Sequence, residues 1–153
     1  MKNDKRIREI MQTKVYTVYP EDNVFHSSVL MASKDIGTLP VVKQDGTLVG
    51  IITDRDIVVR CNALGKDISK IKICECMSSN PIRTVPSESC SGAMRLMAEY
   101  AIRRLPVVEN DKLVGLISIE DIAKVSSFCP NKKHPNELCT LIEIAKGLQK
   151  SAH

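Results

Sequence analysis

The stretch Gly50-Ile51-Ile52-Thr53-Asp54-Arg55-Asp56-Ile57 decides the fold, because Gly115-Leu116-Ile117-Ser118-Ile119-Glu120-Asp121-Ile122 repeats its pattern. Both read glycine, two branched apolar residues, a hydroxyl residue, two variable residues, aspartate and isoleucine. An apolar run that passes through Thr or Ser into a helical pattern is a strand-to-helix corner. Two such corners in 153 residues indicate a duplicated unit and, if they bind anything, a pair of related sites.

The flanking sequence carries the duplication further. Glu9-Ile10-Met11 answers Glu75-Cys76-Met77, Thr17-Val18 answers Thr84-Val85, and Met31-Ala32 answers Met97-Ala98. Leu39-Pro40-Val41-Val42 answers Leu105-Pro106-Val107-Val108, and Leu48-Val49-Gly50 answers Leu113-Val114-Gly115. The offset stays near 66 and falls to 65 after the Leu-Pro-Val-Val run, so the second copy is one residue shorter in the turn that follows.

Each copy reads as β-α-β-β-α. Residues 15–18 and 82–85 are short β-rich runs ending near Pro20 and Pro86. Phe25, Val29, Ala32 and Ile36 then share one helical face, and Met94, Met97, Ala98 and Ala101 form a similar stripe. The methionine-rich face is expected in the core. Each Leu-Pro-Val-Val run is a strand with a proline near its start. Gln44-Asp45-Gly46-Thr47 supplies a hairpin turn, and Glu109-Asn110-Asp111-Lys112 does the same one residue shorter. After the first corner, Ile57, Val58, Cys61 and Leu64 line one side of a helix that Gly65 stops. The expected organisation is a first module over 7–64, a linker over 65–75, a second module over 76–125 and a tail over 126–153. In the tail, Leu138, Leu141, Ile142, Ala145 and Leu148 keep helical spacing. That extra helix suits core cover, a dimer interface or a docked partner.

Composition bounds the function. Apolar residues make up 43%, but aromatics only 3% with no Trp, so the core must be built from Ile, Val, Leu, Met and Ala. Half-domains of about 60 residues are marginal alone, so the copies are expected to pack on each other. A net charge of +4 suits an anionic small ligand or plain solubility better than duplex DNA. Lys2, Lys5, Arg6 and Arg8, and Lys66, Lys70 and Lys72, read as solvated surface, with few aromatics nearby to stack bases. No apolar run approaches a membrane span, and Met1-Lys2-Asn3-Asp4-Lys5-Arg6 lacks the apolar core of a signal peptide. A cytoplasmic location is expected, with the six cysteines mostly thiols.

Taken alone, either corner is a helix cap: a hydroxyl residue followed three positions later by an acid is a capping box. Three features go beyond a cap. The acid is Asp in both copies, where Glu or Gln is usual. The corner lies at the carboxyl end of a strand, where α/β sheets place ligands. A helix N-terminus also offers amides to phosphate. A carboxylate suits two adjacent hydroxyls, as on a ribose. A diol on Asp, phosphate near amides and Arg55, and a base against apolar strand residues together describe a nucleotide.

In these residues the chain resembles a tandem pair of cystathionine-β-synthase (CBS) domains, over roughly residues 7–125. Gly50–Asp56 and Gly115–Asp121 match that family's Gly-apolar-x-Thr/Ser-x-x-Asp pattern, each preceded by Leu-Pro-Val-Val. The Thr-Asp-Arg-Asp-Ile form is similar to small stand-alone bacterial members. The resemblance implies an α/β fold with mixed sheets, two modules packed with pseudo-twofold symmetry, and homodimers. It also implies clefts between the modules for AMP, ADP, ATP or S-adenosylmethionine as a regulatory ligand, with no cofactor required. By resemblance, Asp56 and Asp121 hold ribose hydroxyls, helped by Thr53 and Ser118. Ile36 and Gly37, and Ile102, Arg103 and Arg104, border the base or phosphates. Lys14, Val15, Tyr16 and Thr17, and Pro81, Ile82, Arg83 and Thr84, contribute backbone contacts to the base.

The copies differ. Arg55 stands opposite Glu120, and Gly37-Thr38 opposite Arg103-Arg104. Unequal sites are therefore expected, with phosphate affinity where the arginines lie. The alternative is that Arg103 and Arg104 form surface ion pairs. Cys129, His134 and Cys139, with Cys74 and Cys76 upstream, offer soft ligands to zinc at a spacing unlike common zinc motifs. Cys61 and Cys90 read as small core residues. His26, His134 and His153 have no nucleophile arranged with a base, and there is no phosphate-cradling glycine loop. A regulatory rather than catalytic role follows, with output to an unknown effector in trans because no catalytic domain accompanies the pair. The rivals are a ligand-free interaction dimer docking through the tail helix, and a metal- or redox-responsive protein using the tail cysteines.

Overall fold

A computed structural model of the chain describes residues 4–125. The tail helix and the candidate zinc ligands Cys129, His134 and Cys139 lie outside the described residues. The architecture is mixed α/β. Two compact units form, one from residues 15–81 with 110–113, the other from residues 4–14, 82–109 and 114–125.

The first of these units starts with α1 (Val24–Lys34), capped by the Asn23 side chain, which accepts the His26 N–H at 2.8 Å. The helix ends at Asp35 in a left-handed conformation. β1 (Thr38–Val42) and β2 (Leu48–Thr53) form an antiparallel hairpin with Thr38 opposite Thr53. Its turn closes through the Gly46 N–H on the Lys43 carbonyl, with Gly46 at φ +83° as the Asp-Gly signal requires. β3 (Ser78–Ser79) pairs on the other side of β2. Val18 bridges β1 in parallel, so the β-rich run before α1 is a single bridge rather than a strand. After β2 the chain turns through α2 (Asp54–Asp56), a π-helical turn (Ile57–Cys61) and a 3₁₀ turn (Asn62–Leu64), which Gly65 ends at φ +69°.

The other unit repeats this plan. α3 (Cys90–Glu99) is capped by Ser89. β4 (Arg104–Glu109) and β5 (Lys112–Ser118) pair across a tight turn in which Asn110 and Asp111 both take positive φ. Thr84 bridges Val107 in parallel, and α4 (Ile119–Val125) follows β5. The tip of this hairpin belongs to the first-described unit, where Lys112 Nζ meets Asp45 Oδ2 at 2.6 Å and Thr47 Oγ1 at 2.9 Å.

The short leading segments are exchanged between copies. The 3₁₀ turn Ile7–Glu9 opens the chain but packs with the second copy, and the Ile7 N–H bonds the Glu88 carbonyl at 2.9 Å. The matching turn Ile73–Glu75 packs with the first copy, and the Ile73 N–H bonds the Asp22 carbonyl at 2.8 Å. Ile7 and Ile73 are both fully buried, Ile7 in the core of the second copy and Ile73 in the core of the first.

The expected helix faces need correction. On α1 the buried residues are Val24, Ser27 and Met31, whereas Phe25 is 52% and Val29 50% exposed. Ala32 is also exposed, and Ile36 lies beyond the helix end. The phase is set by residues 68–71, whose carbonyls at Ile71 and Ile68 take the Val24 and Phe25 N–H groups and hold Val24 inward. Likewise, Ile57 and Cys61 are buried after the first corner, but Val58 and Leu64 are exposed, because the π turn shifts the helical phase. On α3 the expected Met94 and Met97 are buried, with Ala98 half-buried, while Ala101 is exposed past the helix end.

Cys61 and Cys90 are buried as expected, and Cys61 lies sulfur to sulfur against Cys76. The exchanged 73–77 segment brings Cys76 to it across a sequence separation of 15. Cys74 and Cys90 are free.

Candidate functional site

Each corner is built the same way. At the first, the Thr53 hydroxyl accepts the Asp56 N–H at 3.1 Å, and Asp56 Oδ2 accepts the Thr53 N–H and hydroxyl, both at 2.9 Å. At the second, Ser118 Oγ accepts the Asp121 N–H at 3.1 Å, and Asp121 Oδ2 accepts the Ser118 N–H at 3.1 Å and its hydroxyl at 2.6 Å. The capping box is therefore real at both corners. The short Asp side chain completes it with one oxygen and keeps the other for a second partner.

That second partner differs. Asp56 Oδ1 faces Arg60 Nε at 3.5 Å, one helical turn on. Arg60 also donates from Nη1 to the Cys76 and Met77 carbonyls at 3.1 and 3.3 Å. The position of Arg60 is Val125 in the other copy, and there Asp121 takes the Gln12 side-chain amide instead, at 3.2 Å on Oδ1 and 3.1 Å on Oδ2. Neither Arg60 nor Gln12 stood out in the sequence. Arg60 carried an i,i+4 signal to Asp56; Gln12 carried none.

The motif glycines are explained by the exchanged segments. A Cβ on Gly115 would lie 2.7 Å from Met11 Sδ and 3.0 Å from the Gln12 carbonyl. One on Gly50 would land on Met77 and 3.1 Å from the Ser78 carbonyl. Glycine is needed for close approach of backbone, since neither lies at positive φ.

The other expected site residues divide by unit. Gly37 sits at the first corner, where its carbonyl accepts the Asp54 N–H at 3.0 Å, with Ile36 just before it. Val15, Tyr16 and Thr17 precede the bridge to β1 and approach the end of the sheet where Thr38 faces Thr53. Lys34 Nζ lies 5.0 Å above the Tyr16 ring. Pro81 follows β3 in the same unit. Arg55 is exposed on the first turn after Thr53.

At the second corner, the Arg103 carbonyl accepts the Ile119 N–H at 3.0 Å, which sets Ile102, Arg103 and Arg104 beside Ser118. Ile82, Arg83 and Thr84 run into the bridge to β4, and Lys14 belongs to this unit. Arg103 Nη2 bonds Glu120 Oε1 directly, so this arginine forms the surface ion pair that was the alternative to a phosphate contact. Burial pushes the Glu120 carboxyl up. The amide N–H of its own turn and the Arg103 guanidinium outweigh that and hold it below the usual carboxylate range. Among the described residues no group of three His, Cys, Asp or Glu side chains is placed to hold a metal ion. Among the same residues no helix is long and apolar enough to cross a membrane.

The family model for the CBS domain matches residues 7–62 and again 69–127. The chain belongs to the CBS domain family. It is 38% identical over 117 residues to the CBS domain-containing protein YhcV of Bacillus subtilis, covering 76% of this chain and 82% of that one. It resembles the crystal structure of CBSX2 in complex with AMP at a TM-score of 0.69 and 30% identity, over 78% of this chain and 93% of that one. It also resembles the CBS domain pair of MJ0100 in complex with methylthioadenosine and S-adenosyl-L-methionine, at a TM-score of 0.71 and 28% identity, over 78% and 98% of the two chains. In CBS terms, Thr53–Asp56 and Ser118–Asp121 are the motif corners of a tandem pair, consistent with a regulatory role toward a nucleotide or adenosyl ligand.

Proposed function

We propose that this CBS pair senses an adenosyl ligand, AMP, ADP, ATP or S-adenosylmethionine, with the ribose diol held by Asp56 or Asp121. The carrying observation is the use of each carboxylate: Oδ2 completes the helix cap at both corners, while Oδ1 takes no part in the cap and faces Arg60 at 3.5 Å in Asp56 and the Gln12 amide, shared with Oδ2, in Asp121. The cap fixes the carboxylate before the ligand arrives, so little ordering cost falls on binding. Thr53 and Ser118 position the acids. Gly37 and Arg103, whose carbonyls hold the two corners, border the rest of the ligand with Ile36, Ile102 and Arg104. Residues 14–17 and 81–84 supply backbone contacts to the base. Arg55, exposed on the first turn after Thr53, is the cation for phosphate at the first corner.

The protein acts as a cytoplasmic, non-catalytic homodimer that passes the signal to a partner protein. A ligand changes the protein's state only through different affinity for two arrangements.

A thermal-shift panel with AMP, ADP, ATP and S-adenosylmethionine tests the reading, since a ligand of the folded state raises Tm by mass action. At least one should raise Tm, and Asp56→Ala with Asp121→Ala should abolish the rise. No shift with any of them, or a shift that survives both substitutions, sinks the ribose assignment.

A further inference from the structure

We infer that Gln12 is a specificity-determining gate: its side-chain amide occupies the edge of the Asp121 carboxylate where a ribose diol would dock, and makes this the weaker of the two corners. The inference rests on the adenosyl reading of the corners and adds a residue and an order of occupancy to it.

A carboxylate only accepts hydrogen bonds, so the Gln12 group facing it is the NH₂. That NH₂ spans both oxygens, at 3.2 Å from Oδ1 and 3.1 Å from Oδ2. Oδ2 already accepts the Ser118 N–H and hydroxyl. A carboxylate has about four acceptor sites. With three donors on Oδ2 and the amide also on Oδ1, a diol that needs both oxygens must displace Gln12.

The amide is held there by its backbone. The Gln12 N–H bonds the Leu116 carbonyl, and the Leu116 N–H bonds the Gln12 carbonyl, each at 2.9 Å. The absent side chain of Gly115 lets this strand approach so closely. The repeat-matched position in the other copy is Ser78, paired with Ile51 on β2. Serine is too short to cover Asp56 in the same way. Asp56 instead meets Arg60 Nε at 3.5 Å, longer than a charge-assisted hydrogen bond and with the guanidinium half exposed, so this contact is weak. A diol therefore meets a preoccupied acceptor at Asp121 and a lightly held one at Asp56.

The test is AMP titration calorimetry on the full chain carrying Asp56→Asn, so that the Asp121 corner reports alone. An exposed amide-to-carboxylate bond shifts an equilibrium by about tenfold. Adding Gln12→Ala, or Gln12→Asn, whose shorter amide falls short of Asp121, should tighten AMP about tenfold. Adding Asp121→Asn to either should remove the gain. A destabilised fold does not tighten a ligand, so the direction separates a gate from a structural residue. Unchanged or weakened AMP binding in both Gln12 variants overturns the gate while leaving the adenosyl reading intact. Absence of AMP and S-adenosylmethionine binding in the wild-type chain overturns the adenosyl reading, and the gate falls with it. As a ligand-free check, the Gln12 side-chain amide resonances should move on Asp121→Asn; if they stay fixed, the contact itself is refuted.

Discussion

Replacing Gly115 by alanine tests how the exchanged segment is held. The new Cβ would stand 2.7 Å from Met11 Sδ, 3.1 Å from Met11 Cγ and 3.0 Å from the Gln12 carbonyl oxygen. The methionine can yield, because it is flexible. The carbonyl cannot yield alone, because Gln12 and Leu116 exchange two hydrogen bonds at 2.9 Å. Relief must stretch that pair. Overpacking of this kind costs about 1–3 kcal/mol. Restricting the unfolded chain returns about 0.4–1 kcal/mol. The net is a loss of about 1–2 kcal/mol, or a Tm lower by about 2–8 °C at 2–4 °C per kcal/mol. Gly37→Ala is the contrast: its nearest neighbour is the end of the exposed Asp54 side chain at 2.8 Å, which can swing away. Calorimetric melting of both variants, with hydrogen exchange at the Gln12 and Leu116 amides, reads the difference. A Gly115→Ala chain that melts no lower than wild type, with those amides still protected, refutes the close-approach account.

Ile73→Ala removes a fully buried side chain from the core that includes Val24, Leu39 and Ile52, and should cost about 2–5 kcal/mol by urea unfolding. A loss under about 0.5 kcal/mol would mean that the exchanged segment does not build that core. Because the Glu120 carboxyl is depressed in the folded chain, its contribution is complete above its unfolded pKa and fades as pH falls through the lower folded value. Urea midpoints from pH 7 to pH 3 should therefore drop less in Glu120→Gln than in wild type, and parallel acid limbs would contradict this. Burial first, then the charges of Asp4 and Glu9, push the Cys90 thiol up to about 11, while Cys74 is exposed. Iodoacetamide at pH 8 should label Cys74 and spare the buried Cys61, Cys76 and Cys90 in peptide maps of the native chain. Equal labelling of Cys74 and Cys90 would show the Cys90 environment to be wrong.

Much of the site was legible from the sequence because it is local. A capping box needs only residues 53–56 or 118–121, and each hairpin turn only four residues, so spacing alone revealed them. The duplication made the corners stand out, and in both the Asp Oδ2 completes the cap while Oδ1 stays outside it.

What lay beyond the sequence is what brings distant residues together. Two apolar stripes were available on α1, and no periodicity could choose between them; the carbonyls of Ile68 and Ile71 turn Val24 inward and leave Phe25 outside. Gln12 and Asp121 are 109 residues apart. Their contact exists only because the chain's first segment packs with the second copy, just as Cys76 reaches Cys61 because its segment packs with the first. The repeat, the turns and the two capped corners are readable along the chain, since each rests on short-range backbone chemistry. Which segment completes which core, and so which donor faces Asp121, depends on contacts between residues far apart in the chain, and such contacts leave no local periodicity to read.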